Sequence, residues 1–118
     1  MSMIDNSRVH TEFADGVVVA TIRLEKVTDA DITALQTDLT AAARPHAFRL
    51  AIDFSQVLLL GSCGISLLLL LRKEAAAAGG KVAIFGLSGD LLGMLKKTGL
   101  ISVLSPHKSR NAAVEACR

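Results

Sequence analysis

Apolar and polar positions alternate between two periods along this chain. Val17 to Ile22 is β-branched and apolar, and Asp15-Gly16 before it is a turn pair that joins it to a short first strand around Arg8 to Phe13. The chain therefore opens with a hairpin. Thr28 heads a segment with Asp31 three residues on and apolar residues at Ile32, Leu35, Leu39 and Ala42, the spacing of one helical face, which Pro45 stops. Phe48 to Phe54 is apolar on both sides, as suits the interior of a sheet, with Asp53 near its C-terminal end.

After a bend at Ser55-Gln56, Leu58 to Leu60 predicts a strand and Gly61-Ser62-Cys63-Gly64 a tight turn. Ile65 to Ala78 then predicts a helix closed by Gly79-Gly80. Lys81 to Phe85 is a further strand. Ser88 caps a short helix carrying Leu91, Leu92 and Leu95, and Gly99 ends it. Ile101 to Leu104 reads as an edge strand, followed by Pro106 and a helix from Ser109 to Cys117. Strands alternate with helices from Val17 onward. The expected fold is α/β, a mixed, mostly parallel sheet of four to five strands with an antiparallel edge and about four helices, layered mainly on one face.

In the central helix, Leu67, Leu68, Leu71, Ala75 and Ala78 can face the sheet, which turns Ser62, Ser66, Leu69, Leu70 and Lys73 outward. Five consecutive leucines sweep more than a full turn, so Leu69 or Leu70 must meet solvent, another protein, or another part of the chain such as the C-terminal helix. Each one covered by a partner contributes roughly 1.5 to 3 kcal/mol. Ser62, read as the helix N-cap, sits where unpaired N–H groups and the positive dipole end favour an added anion. A phosphate there is tolerated locally, yet it places nearly two negative charges beside an apolar contact face. Ser62 is thus suited to be a switch.

Composition narrows the field. The chain has 118 residues, 51% hydrophobic and 20% charged, which suits one domain over residues 1–118 with a core that needs no disulfide or metal. Thirteen basic residues against eleven acidic ones are scattered, and the only aromatics are phenylalanines, so direct nucleic-acid binding is not implied. The uncharged leucine-rich stretch Val57 to Leu71, interrupted by Gly61, Ser62 and Gly64, is too short for a membrane span. No secretory leader is visible at Met1 to Asn6, and a cytoplasmic location is expected. Cys63 and Cys117 lack metal-ligand spacing and are expected as reduced thiols. Cys63, at a helix start, is also a candidate for a depressed pKa and a redox role.

Leu50-Ala51-Ile52-Asp53-Phe54, Leu60-Gly61-Ser62-Cys63-Gly64-Ile65, Ala75 to Gly80, Lys81 to Phe85 and Leu95-Lys96-Lys97-Thr98-Gly99-Leu100 together resemble the STAS domain of bacterial anti-sigma-factor antagonists. The resemblance covers nearly the whole chain. It implies a STAS-type fold and a non-catalytic protein–protein switch in transcription regulation, with no cofactor. The implied partner is an anti-sigma factor that is also a serine kinase, with a serine phosphatase restoring the active form. Ser62 falls at the phosphorylated position of the family pattern Asp-Ser-Ser-Gly, with Gly61 in place of the aspartate and Cys63 in place of the second serine. The family's early Gly-Glu-Leu-Asp signature appears in altered form within Leu24-Glu25-Lys26-Val27-Thr28-Asp29. On this reading Gly61, Ser62, Cys63, Ser66, Leu69, Leu70 and Lys73 form the partner-binding face, and its exposed leucines also allow a homodimer.

Other chemistries fit less well. Ser62, Asp90 and His107 occur in hydrolase order, but Leu60 stands where a nucleophile elbow needs glycine, and His10, His46 and His107 read as surface residues. Gly61 to Gly64 has neither the third glycine of a dinucleotide fingerprint nor the lysine of a P-loop. The alternative is an unphosphorylated scaffold, since STAS domains also serve in stress-sensing assemblies and beside lipid-transport ATPases.

Overall fold

The computed structural model describes residues 4–118. Strands β1 (Val9–Ala14) and β2 (Val17–Ile22) form the hairpin, and β4 (Arg49–Asp53) and β6 (Lys81–Phe85) complete a four-stranded sheet in the order β1-β2-β4-β6. The β1–β2 pair is antiparallel, and β2–β4 and β4–β6 are parallel. Two short strands stand apart from this sheet. β3 (Lys26–Val27) pairs in parallel with β5 (Leu59–Leu60) just before the central helix.

Helices α1 (Ile32–Ala43), α2 (Ser62–Ala77) and α3 (Gly89–Lys97) contribute to one core with Val18, Ala20, Leu50, Ile52, Val82 and Ile84 of the sheet. The alternate strand residues Val17, Val19, Ala51, Ala83 and Phe85 are buried on the other face under α5 (Arg110–Cys117). Burial on both faces is why the strands read as continuous apolar runs. Ala51 and Ala83 leave room for Ala113, Val114 and Cys117 to seat close against the sheet.

Thr28 and Asp31 open the α1 segment as their spacing predicts: the Asp31 carboxylate accepts from the Thr28 N–H at 2.9 Å and from its hydroxyl at 3.0 Å. Pro45 lies in the single 3₁₀ turn that ends it. Ser88 and Ser109 cap α3 and α5 by accepting from the Leu91 and Ala112 N–H groups.

Three expectations change. Ile101–Leu104 is a short helix, α4, and not an edge strand. Gly99, with φ +74°, reverses the chain, and Leu100, Ile101 and Leu104 then pack on the core at helical spacing while Ser102 and Val103 face out. Tertiary packing has overridden β-branched propensity here. Ala78 lies past the last helical residue and is exposed, so it does not face the sheet. The helix begins at Ser62, three residues before the expected start at Ile65. His10, His46 and His107 are partly exposed at the surface.

Candidate functional site

The site grows from the β3–β5 ribbon. The Gly61 N–H bonds the Val27 carbonyl at 3.3 Å, which anchors the turn to β3. Gly61, extended at φ −75° and ψ 174°, is the N-cap, and Ser62 is the first helical residue. Ser62 therefore does not cap the helix, and among the described residues its hydroxyl makes no hydrogen bond. The Gly61 carbonyl accepts from the Gly64 and Ile65 N–H groups, leaving those of Ser62 and Cys63 without a backbone acceptor among the described residues. An exposed hydroxyl thus stands beside two unpaired donors and the positive end of a 16-residue helix.

The sequence-selected residues fall together on α2. Gly61, Ser62, Ser66, Leu69, Leu70 and Lys73 are all exposed, with Leu69 at 37% and Leu70 at 38%. Leu67, Leu68, Leu71 and Ala75 are buried beneath them. The C-terminal helix lies across the opposite face of the sheet, so it does not cover these leucines.

Cys63 departs from the rest. It is half-buried and turned toward Asp29, in the turn before α1. Hydrogen bonding to the Asp29 carboxylate, and then that carboxylate's charge, push the Cys63 thiol above its ordinary range. The depressed pKa expected of a helix-start cysteine is overturned by a nearby anion. Cys117 is buried and donates to the Leu50 carbonyl at 3.5 Å, and burial pushes its thiol up as well.

Several residues at this site escape sequence reasoning. Asp29 supplies a carboxylate near the turn where Gly61 carries none. Leu58 and Leu59, treated as strand residues, are 55% and 58% exposed, and Leu59 lines an open groove with Val27, Thr28, Asp29, Ala30 and Gly61. A two-residue strand with one side free gave no alternating pattern to reveal this. Asp29 was visible only as the end of the altered signature. No hydrogen bond or ion pair links Ser62, Asp90 and His107 among the described residues, so the hydrolase order corresponds to no bonded triad. No described group of histidines, cysteines and carboxylates could hold a metal ion, and no described helix is long and apolar enough to cross a membrane.

The STAS domain model matches residues 8–113, so the chain belongs to the STAS domain family. The fold agrees with solved structures. An anti-sigma factor antagonist from Mycobacterium paratuberculosis is similar with a TM-score of 0.79 and 22% identity, over 93% of this chain and 92% of that one. An anti-sigma-factor antagonist (STAS) domain protein from Planctomyces limnophilus gives a TM-score of 0.76 and 17% identity, over 95% and 98%. The anti-sigma factor antagonist SpoIIAA in its unphosphorylated form gives 0.60 and 16%, over 75% and 81%. Among curated proteins, none matches the chain by sequence.

Proposed function

We propose that this chain is a non-catalytic anti-sigma-factor antagonist, whose α2 face docks an anti-sigma factor and whose Ser62 hydroxyl is phosphorylated by that partner to break the complex. The observation that carries this reading is the Ser62 side chain itself: exposed, unbonded and first in a helix whose next outward residues are Ser66, Leu69 and Leu70. A kinase reaches such a hydroxyl without unfolding anything. The phosphate then gains the unpaired N–H groups of Ser62 and Cys63, while its charge disfavours burial of the leucines against a partner. A serine phosphatase restores the docking form. The test is incubation of the full chain with the purified products of its neighbouring genes and ATP, followed by intact-mass analysis. One added phosphate, absent in Ser62→Ala, is expected; stable binding with no mass change refutes the switch.

One observation favours a second reading, an unphosphorylated scaffold in a stress-sensing complex or beside a lipid-transport ATPase. Gly61 carries no carboxylate next to the hydroxyl, and the Asp29 carboxylate near the turn acts on Cys63. A scaffold predicts a complex indifferent to ATP and to Ser62→Ala.

A further inference from the structure

Gly64 is the third residue of α2, and a glycine inside a helix ordinarily loosens it relative to alanine. What lies against it accounts for its presence. A Cβ at Gly64 would run into the Leu60 Cδ1, and it would stand 3.0 Å from the Leu60 Cγ and 3.6 Å from the Val27 Cγ1. The Leu60 side chain is therefore seated directly beneath the first turn of the helix that follows it. Leu60 is itself held in place. It pairs with Val27 in the β3–β5 ribbon and packs, partly buried, against the main core.

The chain reverses between these two residues. The Gly61 N–H bonds the Val27 carbonyl, and the Gly61 carbonyl accepts from the Gly64 N–H at 3.0 Å and the Ile65 N–H at 3.2 Å. Ser62 and Cys63 lie inside that closed turn. The Ser62 hydroxyl, with no hydrogen bond of its own among the described residues, takes its direction from the backbone alone. We propose that Gly64 is a positioning residue for Ser62: its bare Cα lets Leu60 seat under the turn, and that seat fixes where the Ser62 hydroxyl and the Ser62 and Cys63 N–H groups point. The inference rests on the reading of Ser62 as the phosphorylated residue. A side chain at position 64 must displace Leu60 or lift the first turn of α2. A lifted turn moves the hydroxyl, and a misplacement of about 1 Å can cost a nucleophile most of its rate. Leu69 and Leu70, further along α2, keep their places, so docking and phosphoryl transfer separate.

The experiment compares the isotope-labelled full chain with Gly64→Ala, Leu60→Ala and the double variant L60A/G64A. Amide exchange at residues 64 and 65, whose N–H groups close the turn on Gly61, should speed up at least roughly tenfold in Gly64→Ala and less in Leu60→Ala, while the amides of β4 keep the parent rates. Leu60→Ala removes bulk instead of adding it, so it reads the same seat if Gly64→Ala does not fold. In the double variant the added methyl takes space that the trimmed leucine vacates, and exchange should return to within about threefold of the parent. Phosphorylation by the neighbouring gene product that modifies the parent should lose at least about tenfold in kcat in Gly64→Ala, with KM little changed, and regain most of it in the double variant. Parent-like exchange in Gly64→Ala would mean that Leu60 swings aside without moving the turn, and a double variant no better than Gly64→Ala would mean that the turn does not rest on Leu60. Either result overturns the proposal, as does a parent-like kcat beside disturbed exchange. Absence of phosphate on the parent, with exchange altered as expected, refutes the switch reading alone and leaves the seat as what sets the Ser62 geometry.

Discussion

The Asp29 carboxylate lies near the Cys63 thiol at the start of α2 and pushes that thiol above its ordinary range. Two elements far apart in sequence, the turn before α1 and the first turn of α2, are joined there. The pairing puts a negative charge beside a helix end that would otherwise favour a thiolate.

Asp29→Asn removes the acceptor charge and lets the helix end act alone. The sign follows directly: a carboxylate favours the neutral thiol, so its loss lowers the Cys63 pKa and raises the thiolate fraction. Iodoacetamide should modify Cys63 faster in Asp29→Asn than in the parent at about pH 8, with the rate profile displaced to lower pH. Cys117, buried under α5, should stay unreactive in both and serves as the internal reference. Equal rates in the two proteins would show that the carboxylate does not govern the thiol.

The leucines of α2 divide into two groups with opposite consequences. Leu71 is fully buried, so Leu71→Ala should cost about 2 to 5 kcal/mol in urea unfolding. Leu69→Ala and Leu70→Ala should each stay within about 1 kcal/mol of the parent, because much of each side chain is already in water. Their effect should appear instead in partner affinity. A fall in stability at Leu69 as large as at Leu71 would mean that this face is core.

Two glycines make a second contrast. A Cβ at Gly61 would meet only the Val27 carbonyl oxygen at 3.7 Å, an ordinary contact, so Gly61→Asp fits and supplies a capping carboxylate. Thermal unfolding should change by no more than about 0.5 kcal/mol. A Cβ at Gly80 would run into the Ala47 and Phe48 carbonyl groups, which are backbone and cannot swing aside. Gly80→Ala should destabilise by about 3 kcal/mol or more by the same measurement.

Acid sensitivity should localise to the β1 edge. The Arg110 guanidinium, at 2.8 Å, and then His10 hold Glu12 below its ordinary range. His10, at 3.2 Å, and Arg23 do the same for Asp5 against a smaller opposing effect of burial. A carboxylate lowered in the folded state adds stability above its unfolded pKa, near 3.8 for Asp5 and 4.5 for Glu12. That stability is lost as pH falls through the folded value. Arg110→Ala should therefore flatten the loss of stability between about pH 6 and about pH 3. The carboxylates and arginines are exposed and His10 is partly so, so the change should be small and should shrink further in high salt. An unchanged pH slope would show that the pair contributes nothing.

Most of the fold was legible because its signals are local. The Thr28–Asp31 spacing, Pro45, the serines at 88 and 109 and the Asp15-Gly16 turn each act within a few residues, and each marks an element boundary in the structure. Ile101–Leu104 misled because its β-branched residues suit a strand, while the helix they form depends on Gly99 and on a core that lies elsewhere in the chain. At the site, the helical spacing of α2 was enough to place Ser62, Ser66, Leu69, Leu70 and Lys73 on one outward face. The proximity of Asp29 to Cys63 was hidden, because it depends on segments that only the folded chain brings together.

The account rests on the claim that modification of one hydroxyl controls occupancy of the α2 face. Its most direct test is calorimetric titration of the neighbouring gene product that binds the parent into the parent, the quantitatively phosphorylated protein, Ser62→Ala and Ser62→Asp. The account predicts tight binding to the parent and Ser62→Ala, with a loss of at least about 1 to 3 kcal/mol for the phosphorylated protein and Ser62→Asp. Equal affinity for all four proteins would contradict it.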